Sequence, residues 1–357
     1  MPATDPDGFV QFGRILRGRR SGYESERQIG PELSLTRRLF IHTGPPKTGT
    51  SALQYVLRDH DGSVVQYPKA GQWNDGSHHN LVLNFFEDYV QPQVVREDID
   101  KLFAAIAADA RQSKVPLAIS SEMLSGRGGT GDFIQALLSR LGEEFEVEII
   151  FVVREHFERT ASLYGQRVRS SSVLEKGSPD EYLTRRASVL CYTPSLQWFL
   201  ETKFPIRLFS YDPGHDLVPR LLRHMGFPDD KIAAPPTRNP SMSIKRLIAT
   251  LMANRHAPIR QDRRKLVRAL ASLSQSFAPA KFIFGPEAAL AADKLFSLDR
   301  AFLRKRFGFD LAAPDLAGRE NEFWLNKEEY AEICASVAGL GNAGAQLREH
   351  LRAFVRD

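Results

Sequence analysis

The chain has 357 residues, of which 42% are hydrophobic and 25% charged, with a net charge of +5 and a pI near 9.2. That is enough chain for one large α/β domain or two smaller ones with a sizeable core, and the mild basicity suits an anionic ligand without demanding nucleic acid. Two distant cysteines, Cys191 and Cys334, exclude a disulfide framework and a C-x-x-C metal motif and predict a reducing, cytoplasmic setting. No apolar run approaches the ~18 residues of a membrane span, and the first residues lack the apolar core of a signal peptide.

In chain order, residues 1–36 are polar, rich in Gly and Arg, and read as a flexible leader. Strands are predicted at 38–43, 63–67, 115–120, 146–153 and 205–211. Several are near-continuous apolar runs, as strands buried on both faces require. Between them, 99–110 places Ile99, Leu102, Phe103, Ile106 and Ala110 on one helical face. Alternating strands and helices predict a central parallel sheet with helices on both sides. From about 216 the chain turns mostly helical, with a Pro-rich loop or linker at 226–243 and helices at 286–311 and 326–355. The expected organisation is an α/β core over 37–245 and a helical portion over 246–357 packed on it. Residues 238–268 hold nine Lys/Arg and a single acid, Asp262, which reads either as a solvated face or as a wall for an anionic ligand.

Ligands of such sheets bind beyond the carboxyl ends of the strands. After the first strand come Gly44-Pro45-Pro46-Lys47-Thr48-Gly49-Thr50-Ser51, and a helical pattern begins there. Strand, tight loop and helix N-terminus form a phosphate cradle. Loop amides and the helix dipole favour negative charge, and Lys47 adds a full positive one. Gly44 and Gly49 have Walker A spacing, but the lysine sits at 47 rather than after the second glycine. After the fourth strand, Arg154 ends the apolar run and Ser162 follows eight residues later on a helical pattern. An arginine fork at a strand end and a hydroxyl two turns along suit a second phosphate. Thr237-Arg238-Asn239-Pro240-Ser241-Met242-Ser243 precedes a further helical run, where Ser241 or Ser243 equally suits an N-cap.

These three elements, in this order, resemble the sulfotransferases that use 3′-phosphoadenosine 5′-phosphosulfate (PAPS), over roughly residues 38–245. The resemblance implies a P-loop-like three-layer α/β/α fold. It implies that Pro46, Lys47, Thr48, Gly49, Thr50 and Ser51 hold the 5′-phosphosulfate, that Arg154 and Ser162 read the 3′-phosphate, and that Arg238 closes over the nucleotide or acceptor. The implied reaction moves a sulfuryl group to an acceptor hydroxyl, with no metal required; the expected acceptor is a glycan or glycolipid. For the base, two candidates stay open. Glu122 lies just past the third strand, and His79 lies in Ser77-His78-His79-Asn80. A histidine titrates near neutrality unaided, whereas a glutamate needs burial to raise its pKa. Tyr67, Trp73, Phe85, Phe86 and Trp198 are candidate acceptor-pocket aromatics, and His42 reads as a loop-supporting core residue. A homodimer through the C-terminal helices is compatible with the sequence. The competing readings are a P-loop kinase using Mg-ATP and a non-catalytic nucleotide- or nucleic-acid-binding protein. The displaced lysine and the strand-end arginine stand against the first. The lack of interleaved aromatics in the basic patch stands against nucleic acid.

Overall fold

The computed structural model describes residues 37–142, 145–170, 173–212, 217–232, 242–257, 259–271, 273 and 282–356. Four strands, β1 (Arg37–Thr43), β2 (Leu117–Ser120), β3 (Phe145–Arg154) and β4 (Ile206–Tyr211), pair in parallel in the order β2-β1-β3-β4. The register sets His42 beside Ser120 on one side of β1 and Thr43 beside Phe151 on the other. β3 is buried from Val147 to Val153; the one charge in that stretch, Glu148, is paired with Arg38 and His224, and Ile149–Val153 is apolar on both faces. Alternation along the strands divides the core in two. Leu39, Ile41, Ile149, Phe151 and Val153 face one side, and Phe40, Ile150 and Val152 face the other.

The helices are α1 (Thr50–Asp59), α2 (His79–Phe85), α3 (Ile99–Arg111), α4 (Thr130–Leu141), α5 (His156–Arg169), α6 (Pro179–Leu190), α7 (Thr193–Glu201), α8 (Leu217–His224), α9 (Ile244–His256), α10 (Arg260–Leu270), α11 (Pro286–Phe307), α12 (Lys327–Ser336) and α13 (Gly341–Leu351). Helices α2, α3, α4 and α7 cover one sheet face, and α1 and α8 cover the other. A third cluster joins α5 and α6 to α9–α13. The predicted stripe of α3 is buried, and Asp98 caps the helix by accepting from the amide of Asp100. None of the helices among the described residues is long and apolar enough to cross a membrane.

Two predicted elements differ. The strand expected at 63–67 is reduced to one bridge, in which the Gln66 amide donates to the Pro116 carbonyl and the Gln66 carbonyl accepts from Ala118. Asp61 turns the chain by accepting from the Ser63 amide, and Pro68 cannot extend a ladder, so little length remains between them. The helix expected at 326–355 is two helices and two short 3₁₀ turns. Gly341 sits at φ +56°, which breaks the spiral between α12 and α13. Of the 226–243 loop, 233–241 lies outside the described residues, as does the 1–36 leader.

One buried carboxylate ties the helical portion to the sheet. Asp299 on α11, 3% exposed, accepts from His156 Nε2 and from the amides of Tyr192 and Thr193, each at 2.8 Å, and from the Thr193 hydroxyl at 2.5 Å. Removing it strands several buried donors. Asp299→Ala should therefore lower the unfolding free energy by about 3–5 kcal/mol in urea titrations.

Candidate functional site

The order β2-β1-β3-β4 puts the topological switch point between β1 and β3, and beyond the carboxyl ends of these two strands is where a sheet of this kind forms its crevice. The loop after β1 fills its floor. Gly44 lies so close to β3 that a Cβ there would stand 2.7 Å from the Val152 carbonyl. The Thr48 hydroxyl closes the turn onto the Pro45 carbonyl at 2.8 Å. Gly49 ends the loop at φ +86° and opens α1 with no side-chain cap and no acid in the first turn. That N-terminus presents unpaired amides and positive dipole to the crevice. Lys47 itself is held at φ +73°, a conformation side chains rarely adopt.

Two arginines brace the loop from behind. Arg159, 3% exposed, donates to the Pro46 carbonyl at 3.2 Å and to the Leu190 carbonyl at 2.8 Å. Arg154 Nη1 reaches the Lys47 carbonyl at 3.4 Å, its Nε pairs with Glu158 at 3.2 Å, and its guanidinium stacks 4.7 Å from the Tyr211 ring centroid. The Tyr192 hydroxyl fixes the Arg154 backbone by donating to its carbonyl and accepting from its amide. Arg154 and Lys47 are thus brought together. The Lys47 side chain makes no ion pair among the described residues, and its pKa is lowered first by burial and then by Arg169 and Arg154, with Glu122 opposing.

The acid side of the crevice comes from β2. Past Ser120 the chain enters a 3₁₀ turn at Glu122–Leu124, which holds Glu122 beside the loop. The Thr50 hydroxyl reaches Glu122 Oε2 at 3.4 Å, and His79 Nε2 stands 3.9 Å from Oε1. The two candidate bases are therefore neighbours. Burial raises the Glu122 pKa, with Lys47 and Thr50 pulling it back. His79 is 5% exposed, bonded through Nδ1 to the Ser121 hydroxyl at 2.8 Å, and lowered by burial to about 4. Behind it, His78 links the Pro68 carbonyl to the Ser120 amide, and burial takes it to about 4. His42 bonds the Ser120 hydroxyl at 2.7 Å and falls to about 3 through burial, as a loop-supporting core residue would.

Ser162 lies half-buried on α5, one turn beyond Glu158, with no hydrogen bond among the described residues. Ser51 is exposed on α1, and Arg238 lies outside the described residues. Trp73 packs edge-on against His79, centroids 4.8 Å apart, and Tyr67 packs against His78. Phe85 and Phe86 instead join a ring cluster reaching Phe103 and Phe133, and Gly128 sits against Trp198. Sequence reasoning missed Arg159, Tyr192 and Tyr211. Only Tyr211 had a signal, since it ends the predicted strand at 205–211. Among the described residues no group of three His, Cys, Asp or Glu side chains is arranged for a metal. No protein-family model and no curated protein matches the chain.

Gly49→Ala would set a Cβ 2.5 Å from the Tyr211 ring at a left-handed φ. It should cost at least about 1–2 kcal/mol in thermal denaturation. The three neutral histidines predict acid sensitivity. Their folded pKa values lie below the unfolded value near 6.5, so the unfolded chain binds more protons as pH falls. Stability should be full above pH ~6.5 and decline progressively toward pH ~4, read as a falling urea midpoint.

Proposed function

We propose that this crevice binds a phosphosulfate nucleotide, PAPS, and transfers its sulfuryl group to an acceptor hydroxyl within a P-loop-like fold. One observation carries the reading: a lysine with no ion pair among the described residues on a strand–loop–helix cradle, beside Arg154 and a carboxylate whose pKa burial raises. The residues fit such a ligand. An α1 N-terminus without a side-chain cap, glycines that let the backbone approach, and a cation with no ion pair among the described residues all favour bound oxyanions.

When bound, the donor supplies an activated sulfuryl group on a phosphate leaving group. Lys47 and the first amides of α1 stabilise the negative charge that develops there. Glu122 takes the proton from the acceptor hydroxyl, because a carboxylate raised by burial is a better base than a histidine held near 4. His79 orients Glu122, and Trp73 gives a glycan acceptor an apolar wall. Arg154 and Ser162 are assigned to the 3′-phosphate.

A Mg-ATP kinase is the second reading. It is favoured by the contact between Thr50 and Glu122, since a hydroxyl and an acid at a P-loop together can hold Mg²⁺. Calorimetric titration separates the two. Micromolar binding of adenosine 3′,5′-bisphosphate, with AMP much weaker, supports PAPS; tighter Mg-ATP supports the kinase and rejects sulfuryl transfer. With PAPS and an acceptor, Lys47→Ala should abolish turnover, and Glu122→Gln should lower kcat by roughly 10²–10⁴-fold with little change in bisphosphate affinity.

A further inference from the structure

Helix α11 runs for 22 residues and turns one face inward, where Ala289, Ala292, Phe296, Asp299, Arg300 and Leu303 are buried. The opposite face holds Glu287, Ala291, Lys294, Leu298, Ala301 and Lys305, all exposed and spaced alternately by four and three residues. That spacing keeps them on one stripe along the helix, the pattern of two helices packed side by side. Leu290 and Leu295 flank the stripe. Leu290 is 57% exposed, Leu295 42% and Leu298 70%. A single exposed leucine is ordinary. Here three of the seven large apolar side chains exposed among the described residues stand on this one helix.

Charge along the stripe runs one way. Glu287 is the acid of the first turn, and Lys305 belongs to the basic last turn with Arg304 and Arg306. Neither Glu287 nor Lys305 makes an ion pair among the described residues. An antiparallel copy of the same helix complements this order. With a two-fold axis level with residue 296, Glu287 of one copy lies opposite Lys305 of the other, Ala291 opposite Ala301, and Lys294 opposite Leu298. The Lys294 stem then covers Leu298 of the second copy while its ammonium reaches water. A parallel copy would instead set Glu287 against Glu287 and Lys305 against Lys305, which repel.

We propose that this face of α11 pairs with the same face of a second copy of the chain, antiparallel and about a two-fold axis. Leu298, with Leu290 and Leu295 at its sides, supplies the apolar burial, and the Glu287–Lys305 pairs at the two ends set the direction. At 22 residues α11 is about 33 Å long, so the contact belongs among the smaller interfaces and gives a reversible, micromolar dimer. The inner side of the same helix carries Asp299, which holds His156 and Tyr192, so the dimer packs on the outside of the helix that anchors the sheet. The pairing does not depend on the sulfuryl-transfer reading.

The test is sedimentation velocity on the full chain across the micromolar range, with circular dichroism to check folding. The wild type should pass from monomer to dimer within that range. Leu298→Asp should weaken the dimer by at least about 100-fold. Because Leu298 is exposed, the variant's melting temperature at monomer concentrations should stay within about 2 °C of wild type. Glu287→Lys and Lys305→Glu should each weaken the dimer by roughly tenfold, and the two together should restore it to within about threefold of wild type. Only an antiparallel contact between these residues gives that rescue. A wild-type chain that stays monomeric throughout leaves the face to solvent or to a different partner and overturns the proposal. So does a dimer unmoved by Leu298→Asp, or a double charge variant no tighter than the single ones. Should Leu298→Asp disturb folding, the charge variants decide the matter.

Discussion

Strand β1 is hydrogen-bonded in parallel on both edges, to β2 and to β3. Everything else at the crevice depends on that double pairing. Parallel strands end on the same side of a sheet, so the loop after β1, the turn after β2 and the last residue of β3 must emerge together. Lys47, Glu122 and Arg154 come from segments separated by tens of residues, and the sheet reduces that separation to a few ångströms. The chain then spends its buried polar groups on holding these ends still. Arg159 braces Pro46, Tyr192 locks the Arg154 backbone, and the His42–Ser120–Gln54 chain ties β1 and β2 to α1.

Electrostatics follows from the same convergence. The crevice holds a lysine with no ion pair among the described residues, an arginine paired with Glu158, and a carboxylate that burial discourages from ionising. Desolvation pushes Lys47 and Glu122 toward their neutral forms, and their mutual attraction pushes back. A bound oxyanion would favour the charged lysine, and a proton on Glu122 would become easier to keep. The charge states of Lys47 and Glu122 are therefore coupled. Asp299 supports this arrangement by securing His156, two residues beyond Arg154, and Tyr192, whose hydroxyl holds the Arg154 backbone.

Much of the fold was legible because its signals are local. The apolar runs of β1 and β3 and the stripe of α3 announce buried strands and an amphipathic helix without reference to partners. The Gly/Pro loop with Lys47 was equally legible, since glycine spacing and the following helix pattern lie within a few residues. Legibility failed where context decides. Val64-Val65-Gln66 has strand composition, yet only Gln66 finds a ladder partner, because the flanking turn and Pro68 fix its reach. Residues 326–355 have helical composition, yet the backbone turns at Gly341. Arg159 and Tyr192 carry no sequence mark at all, since what they brace is distant in the chain.

The sequence by itself determined most of the elements, the parallel α/β class and the chemical types available at strand ends, because hydrophobic period, turn residues and strand propensity act over a few positions. It left Glu122 and His79 as rivals. Tertiary structure alone made them neighbours and gave them different characters, because desolvation depends on what packs around a group rather than on its own neighbours in the chain.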